Sequence, residues 1–226
     1  MKVDFCTIVS GTVGSYKKWA DAVGDQSFTF DNLLPYFKKS IKFTPPNLAK
    51  LGPGVTVPYD PSAFGQGGPV HVSYSNFYQP ISPYINKAFK ALGLNQILGF
   101  NSGKLIGYSH LTDAIDPQAE TRSSAETSFL AEAVQTTTLQ IYKQTLAKKI
   151  VFSGKKATGV QVTNAGVPYT ISARKEVSLA AGVVSEQSGA RVGPKASLSK
   201  LGITSVSDLK GVGQNLWVRC KTLQTS

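Results

Sequence analysis

The hydrophobic period of this 226-residue chain changes once, near residue 138, and the change calls for a fold that is helical first and sheet-like afterwards. Before it, apolar residues recur at helical spacing. Ser15 is placed to cap a helix over residues 16–23 that ends at Gly24, and Thr29 or Asp31 to start a second, with Phe30, Leu33, Leu34, Phe37 and Ile41 on one face and Pro45-Pro46 as its stop. Ser82-Pro83 opens a third, carrying Ile85, Ala88, Phe89 and Leu92 on one face and closing at Gly93. Ser123 and Glu126 have capping-box spacing, which predicts a helix over 124–134 with Phe129, Leu130 and Val134 inward. Beyond 138, residues 139–142, 149–153, 158–163 and 167–173 alternate or are rich in β-formers, with turns at Gly154-Lys-Lys156 and Asn164-Ala-Gly166. That pattern predicts an antiparallel meander. Residues 177–181 read as a short apolar strand feeding a glycine turn, the arrangement of a buried strand that ends beside a ligand. Residues 47–80 read as ordered loop or hairpin over a pocket, with one strand at 69–74.

Composition excludes more than it selects. At 41% hydrophobic the chain can bury a sizeable core. A formal charge of +11 could attract nucleic acid or an anionic ligand, but the lysines come as scattered pairs such as Lys17-Lys18, Lys38-Lys39, Lys148-Lys149 and Lys155-Lys156, which suits a solvated surface. Cys6 and Cys220 have no metal-binding or disulfide-framework spacing. No apolar run approaches the roughly 20 residues that span a bilayer, and the first ten residues lack a signal-peptide core, so the sequence carries no address.

Self-sufficient catalytic motifs are absent from the sequence. Gly52-Pro-Gly54 and Gly211-Val-Gly213 complete neither a dinucleotide fingerprint nor a P-loop and read as turns. His71, in the strand at 69–74, and His110, in a loop, have no carboxylate at a telling spacing and read as structural. Ser185 lacks the glycines of a nucleophile elbow and reads as a cap.

A series of motifs runs through nearly the whole chain in fixed order: Gly11-Thr-Val-Gly-Ser-Tyr16 with Trp19, Asp31-Asn-Leu-Leu-Pro-Tyr-Phe37, Gly68-Pro-Val70 with Val72-Ser-Tyr74, Thr121-Arg-Ser-Ser124 with Glu126-Thr-Ser-Phe129, Ala157-Thr-Gly-Val160, and Gly211-Val-Gly-Gln-Asn-Leu216. Together they resemble the glucose-methanol-choline (GMC) oxidoreductases, above all the fungal members related to aryl-alcohol oxidase and glucose dehydrogenase. The resemblance implies an α+β fold, in which part of an α/β flavin domain joins part of a substrate domain built on an antiparallel sheet. Residues 1–119 would form cap and substrate-domain parts, and residues 120–226 part of the FAD-binding domain with the meander. The family oxidises primary or secondary alcohols or sugars by hydride transfer to N5 of FAD, while a histidine near the C-terminus removes the hydroxyl proton.

Residue by residue, the resemblance transfers cofactor contacts and no catalytic group. Ala147 stands where the family usually has a valine whose backbone meets the adenine, and Ala180, Ala181 and Gly182 match a turn that passes close to the FAD phosphates and ribose, where small residues permit close approach. The nucleotide-binding strand and glycine turn would precede Met1, the segment 183–192 is shorter than the family's by about three residues, nearly one helical turn, and Trp217-Val-Arg-Cys220 replaces an Asp-His pair. The expectation is therefore a truncated family member that is inactive alone. A second reading, suggested by the Tyr and Phe density of residues 70–89, is a non-catalytic module that binds carbohydrate or aromatic compounds. No nucleic-acid or membrane partner is expected.

Overall fold

Helix α1 (Val13–Val23) starts three residues ahead of its expected first turn because Thr12, rather than Ser15, provides the cap: the Thr12 hydroxyl accepts from the Ser15 amide at 3.0 Å. In this computed structural model residues 10–181 and 191–214 are described, and they fall into two compact units, Met1–Gln140 and Ile141–Ser226. Cys6, Ser185, Asn215, Leu216 and the 217–220 segment lie outside the described residues, as does most of the shortened 183–192 stretch.

In the first unit α2 (Phe30–Ser40) follows a short 3₁₀ turn, with Asp31 in its first turn and Lys38 and Lys39 in its last, each charge opposing the adjacent end of the helix dipole. Ile41 leaves the helix that its spacing suggested. It opens β1 (Ile41–Phe43), which runs parallel to β2 (Val70–Tyr74) in the register Ile41 to Val70 and Phe43 to Val72. β2 also pairs antiparallel with β3 (Thr112–Asp113). The backbone pairing of β1 outweighs the helical periodicity of a single side chain.

The long loop between these strands forms core rather than covering a pocket. It holds a one-turn helix, α3 (Leu48–Leu51), and a 3₁₀ turn (Pro61–Ala63) capped by the Asp60 carboxylate. Its Val57, Ala63 and Phe64 bury against Phe43, Val72 and Tyr74, with Phe43 and Phe64 stacked at 3.9 Å and Tyr74 edge-on to Phe43 at 6.0 Å. Glycine makes this crossing possible. A Cβ on Gly68 would fall 2.1 Å from the Ser40 carbonyl carbon, and one on Gly65 would fall 1.7 Å from the Lys38 oxygen.

Helix α4 (Ser82–Ala91) runs close to expectation, with Gly93 left-handed just beyond it, but its Ile85, Phe89 and Leu92 are exposed. At the fourth helical segment the capping pair sits one residue later than expected. The Ser124 amide donates to Thr127 Oγ1 at 2.8 Å and the Thr127 amide returns a bond to Ser124 Oγ at 3.2 Å, while Ser123 Oγ instead accepts from the His71 amide at 3.0 Å. A π-helical turn (Glu126–Leu130) then leads into α5 (Ala131–Thr136), and Phe129 and Val134 are exposed rather than inward.

The second unit is built on the meander β4 (Thr145–Ser153), β5 (Lys156–Asn164) and β6 (Val167–Ser172), antiparallel throughout. Ala165 and Gly166 both have positive φ, as in a type I′ turn, whereas at the other hairpin Gly154 alone does, the pattern of type II′. Residues 139–142 precede the sheet instead of opening it. Residues 177–181 form no strand among the described residues, and they are half-buried or exposed rather than buried. A short parallel pair, β7 (Val192–Gly193) and β8 (Ser207–Asp208), is joined through α6 (Lys195–Lys200), whose start is fixed by the Lys195 amide donating to Asp208 Oδ1 at 2.9 Å.

Candidate cofactor-binding site

A hollow of about 790 Å³ in the second unit is formed where β4 and β5 face the segment 177–181 and the residues around α6. That volume lies within the roughly 300–1,000 Å³ of small-molecule and cofactor pockets. Its wall is prepared by a register shift in β4: Ala147 pairs with Val162 and Lys149 with Gln161, so Lys148 is an extra residue. A bulge of this kind bends the strand and re-aims the neighbouring side chains. Ile150, itself buried, is part of the lining, and Val162, the partner of Ala147 on β5, is buried.

Ala147, Ala180 and Ala181 all line this hollow, although more than thirty residues separate Ala147 from the alanine pair. Gly182 lies outside the described residues. Val177, Ser178 and Leu179 complete that side of the lining. Reading the sequence missed the rest of the lining. Lys148 and Lys149 looked like ordinary surface lysines, and only the bulge, invisible in one strand alone, brings them to the cavity. Arg191 and the turn Gly202-Ile-Thr204 enter through the β7–α6–β8 unit, where Arg191 Nε donates to the Thr204 carbonyl at 2.8 Å. Arg191 has a φ of 56°, a strained left-handed conformation that this bond helps to hold.

The chemistry of the lining is one-sided. Lys148, Lys149 and Arg191 contribute cations and no described lining residue is acidic, which favours an anionic ligand. Among the described residues the lining holds no imidazole, thiol or carboxylate that could take a proton at neutral pH. The chemistry of these residues is that of binding. Among the described residues no cluster of three or more His, Cys, Asp or Glu could hold a metal, and no helix is long and apolar enough to cross a membrane.

The two histidines are placed in the first unit as structural residues would be. His71, on β2, has its Nδ1 3.9 Å from Asp116 Oδ2, beyond hydrogen-bond length. His110 is half-buried, which pushes it below the usual imidazole value, and it bonds to the backbone of Thr56. Gly52, Gly54 and Gly213 have positive φ, as turns require.

A family model described as GMC oxidoreductase matches residues 2–219. The chain belongs to the GMC oxidoreductase family. It is 48% identical over 213 residues to the glucose methanol choline oxidoreductase atC of Aspergillus terreus, covering 91% of this chain and 34% of that protein, and 46% identical over 213 residues to patulin synthase of Aspergillus clavatus, with the same coverage. An FAD-dependent oxidoreductase from Chaetomium thermophilum shares its fold with a TM-score of 0.81 at 32% identity, covering 91% of this chain and 36% of that one. A fungal aryl-alcohol oxidase matches with a TM-score of 0.83 at 23% identity over 92% of this chain and 36% of that one, a likeness of fold. The chain thus spans about a third of the length of the curated relatives it matches. The mixed α+β architecture is that of these GMC structures, and the chain accounts for part of it.

Proposed function

We propose that this chain provides part of the FAD site of an oxidoreductase acting on the CH–OH group of an alcohol or sugar, and that Ala147, Ala180, Ala181 and Gly182 are its cofactor contacts. The observation that carries the reading is the convergence of Ala147 and the alanine pair on one hollow of about 790 Å³ whose charged residues, among those described, are all basic. FAD fits the donor set: alanine side chains let the backbone approach an adenine or ribose, and Lys148, Lys149 and Arg191 suit a diphosphate. When bound, the flavin supplies the hydride acceptor, and the chain's own residues bind and orient the cofactor and exclude water. Residues 1–119 belong, on this reading, to the cap and substrate part, and residues 120–226 to the flavin part. On the same reading the chain alone turns over no alcohol; among the described residues that line the hollow no group is suited to take up the hydroxyl proton.

The test is to titrate FAD and ADP into the expressed 226-residue chain at low and high salt, and to record the visible spectrum with and without benzyl alcohol or glucose. Salt-sensitive binding of both nucleotides, lost in Ala181→Trp and Ala147→Trp, is the expected result. Binding indifferent to both tryptophans would remove the hollow from the argument, and alcohol-dependent bleaching of bound flavin would overturn the claim that the chain is inactive alone.

A further inference from the structure

We propose that Arg191 is a specificity-determining residue of the hollow in the second unit: the outer edge of its guanidinium takes two oxygens of one phosphate group, so that phosphate-bearing adenine ligands are preferred to adenosine. This role rests on the flavin-site reading above and adds to it a geometric selection that the point charges of Lys148 and Lys149 do not provide. The backbone points to it. Two of the described lining residues are left-handed, Gly202 at a φ of 71° and Arg191 at 56°. Glycine takes that conformation freely, whereas a Cβ crowds the carbonyl oxygen there, so an arginine stays in it only where its surroundings hold it. They do so here: the Val206 amide donates to the Arg191 carbonyl at 2.8 Å, and the next residue, Val192, opens β7 opposite Ser207.

The backbone at this position asks for a glycine, since the Val206 bond uses only the Arg191 carbonyl and a glycine would keep it without the strain. What the arginine adds is its side chain. Glu120, left-handed at a φ of 54° in the first unit, closes its carboxylate on Lys50 and Asn76 and so ties its own turn down. Arg191 is tied only at its root: among the described residues its side chain makes one hydrogen bond, from Nε to the Thr204 carbonyl at 2.8 Å. That bond anchors the guanidinium to the turn Gly202-Ile-Thr204, itself part of the lining, and leaves the edge formed by the two Nη groups for a ligand. A guanidinium held in this way is a planar fork that matches two phosphate oxygens, and the bonds it makes to them are charge-assisted. Lys148 and Lys149, on flexible stems, attract any anion and impose no such shape.

The experiment is calorimetric titration of ADP, adenosine and inorganic pyrophosphate into the full 226-residue chain and its Arg191→Gly and Arg191→Lys variants, with a urea unfolding curve of each protein without ligand. Arg191→Gly is expected to weaken ADP and pyrophosphate about tenfold or more, to leave adenosine unchanged, and to leave the urea midpoint where it was or higher. Arg191→Lys keeps the charge and loses the fork, so ADP should still weaken by about threefold or more. ADP binding that is lost in Ala181→Trp but ignores both Arg191 variants would overturn the role of Arg191 and leave the adenine site standing. A urea midpoint lowered by about 0.5 M or more in Arg191→Gly would overturn it as well, because the arginine would then serve the fold. If neither ADP nor adenosine binds while pyrophosphate still depends on Arg191, the adenine site falls and the phosphate contact is upheld; if none of the three binds, both fall.

Discussion

Replacing Gly68 by alanine is the most exposing perturbation of this fold, because the added methyl meets only backbone. Its ideal position is 2.1 Å from the Ser40 carbonyl carbon, 2.2 Å from the Ile41 nitrogen and 2.4 Å from the Ser40 oxygen, none of which can rotate away as a side-chain tip could. The residue-68 segment must therefore lift off the start of β1, breaking the bond from the Gly68 amide to the Ile41 carbonyl at 3.0 Å. Overpacking of this kind costs about 1–3 kcal/mol and the lost hydrogen bond about 0.5–1.5 kcal/mol. Against these stands a gain of about 0.4–1 kcal/mol from the stiffer unfolded chain. The net loss comes to about 2–3 kcal/mol, which for a urea dependence of about 2–3 kcal/mol per molar lowers the unfolding midpoint by about 1 M. Near-UV circular dichroism reports it, because Tyr59 and Tyr74 belong to the affected core. The adjacent Gly67 is the control: it is exposed and a Cβ there meets nothing within 4 Å, so Gly67→Ala leaves the midpoint unchanged or raises it slightly. Equal behaviour of the two variants would refute the reasoning that space at the β1–β2 crossing, rather than backbone entropy, requires the glycine.

Three further outcomes are expected. Ala165 occupies the first central position of a type I′ turn at a φ of 47°, so Ala165→Asn, which creates an Asn-Gly turn, should stabilise the meander by about 0.5–1 kcal/mol, read from the urea midpoint. Asp116 accepts backbone bonds from Ala119 and Gln118, which hold its carboxyl below the ordinary 3.8. Its contribution is present above that value and fades as pH falls through the lower folded one, so the stability gap between the native chain and Asp116→Asn should shrink on acidification below about pH 4. Burial, and secondarily Tyr59, pushes Tyr74 up to about 12. Its phenol should ionise last in an ultraviolet titration, with stability lost as pH rises from 10 towards 12; Tyr74→Phe should flatten that loss and, by removing an unpartnered buried hydroxyl, cost little at neutral pH.

What could be read from the sequence follows the range over which each decision is made. The meander was legible because alternation and two-residue turns are local, and α1, α2 and α4 because their spacing and stops are local too. Ile41 escaped because its fate is decided by β2, some thirty residues away. Val57, Ala63 and Phe64 escaped because an irregular loop buries side chains without a period. The capping pair at 124 and 127 was misplaced by one residue because two serines adjoin, and only the His71 amide determines which of them faces inward towards β2. The same division holds at the large hollow. Ala147, Ala180 and Ala181, which line it, are named in the sequence through resemblance, whereas Lys148 depends on a count of residues in two strands at once and Arg191 on the return through α6. Charge, the property most relevant to an anionic cofactor, therefore came from the residues that periodicity could not place. A net charge of +11 scattered along the sequence gives no address for a ligand; a local excess arises where a bulge and a turn gather Lys148, Lys149 and Arg191 around space that no carboxylate of the described residues lines.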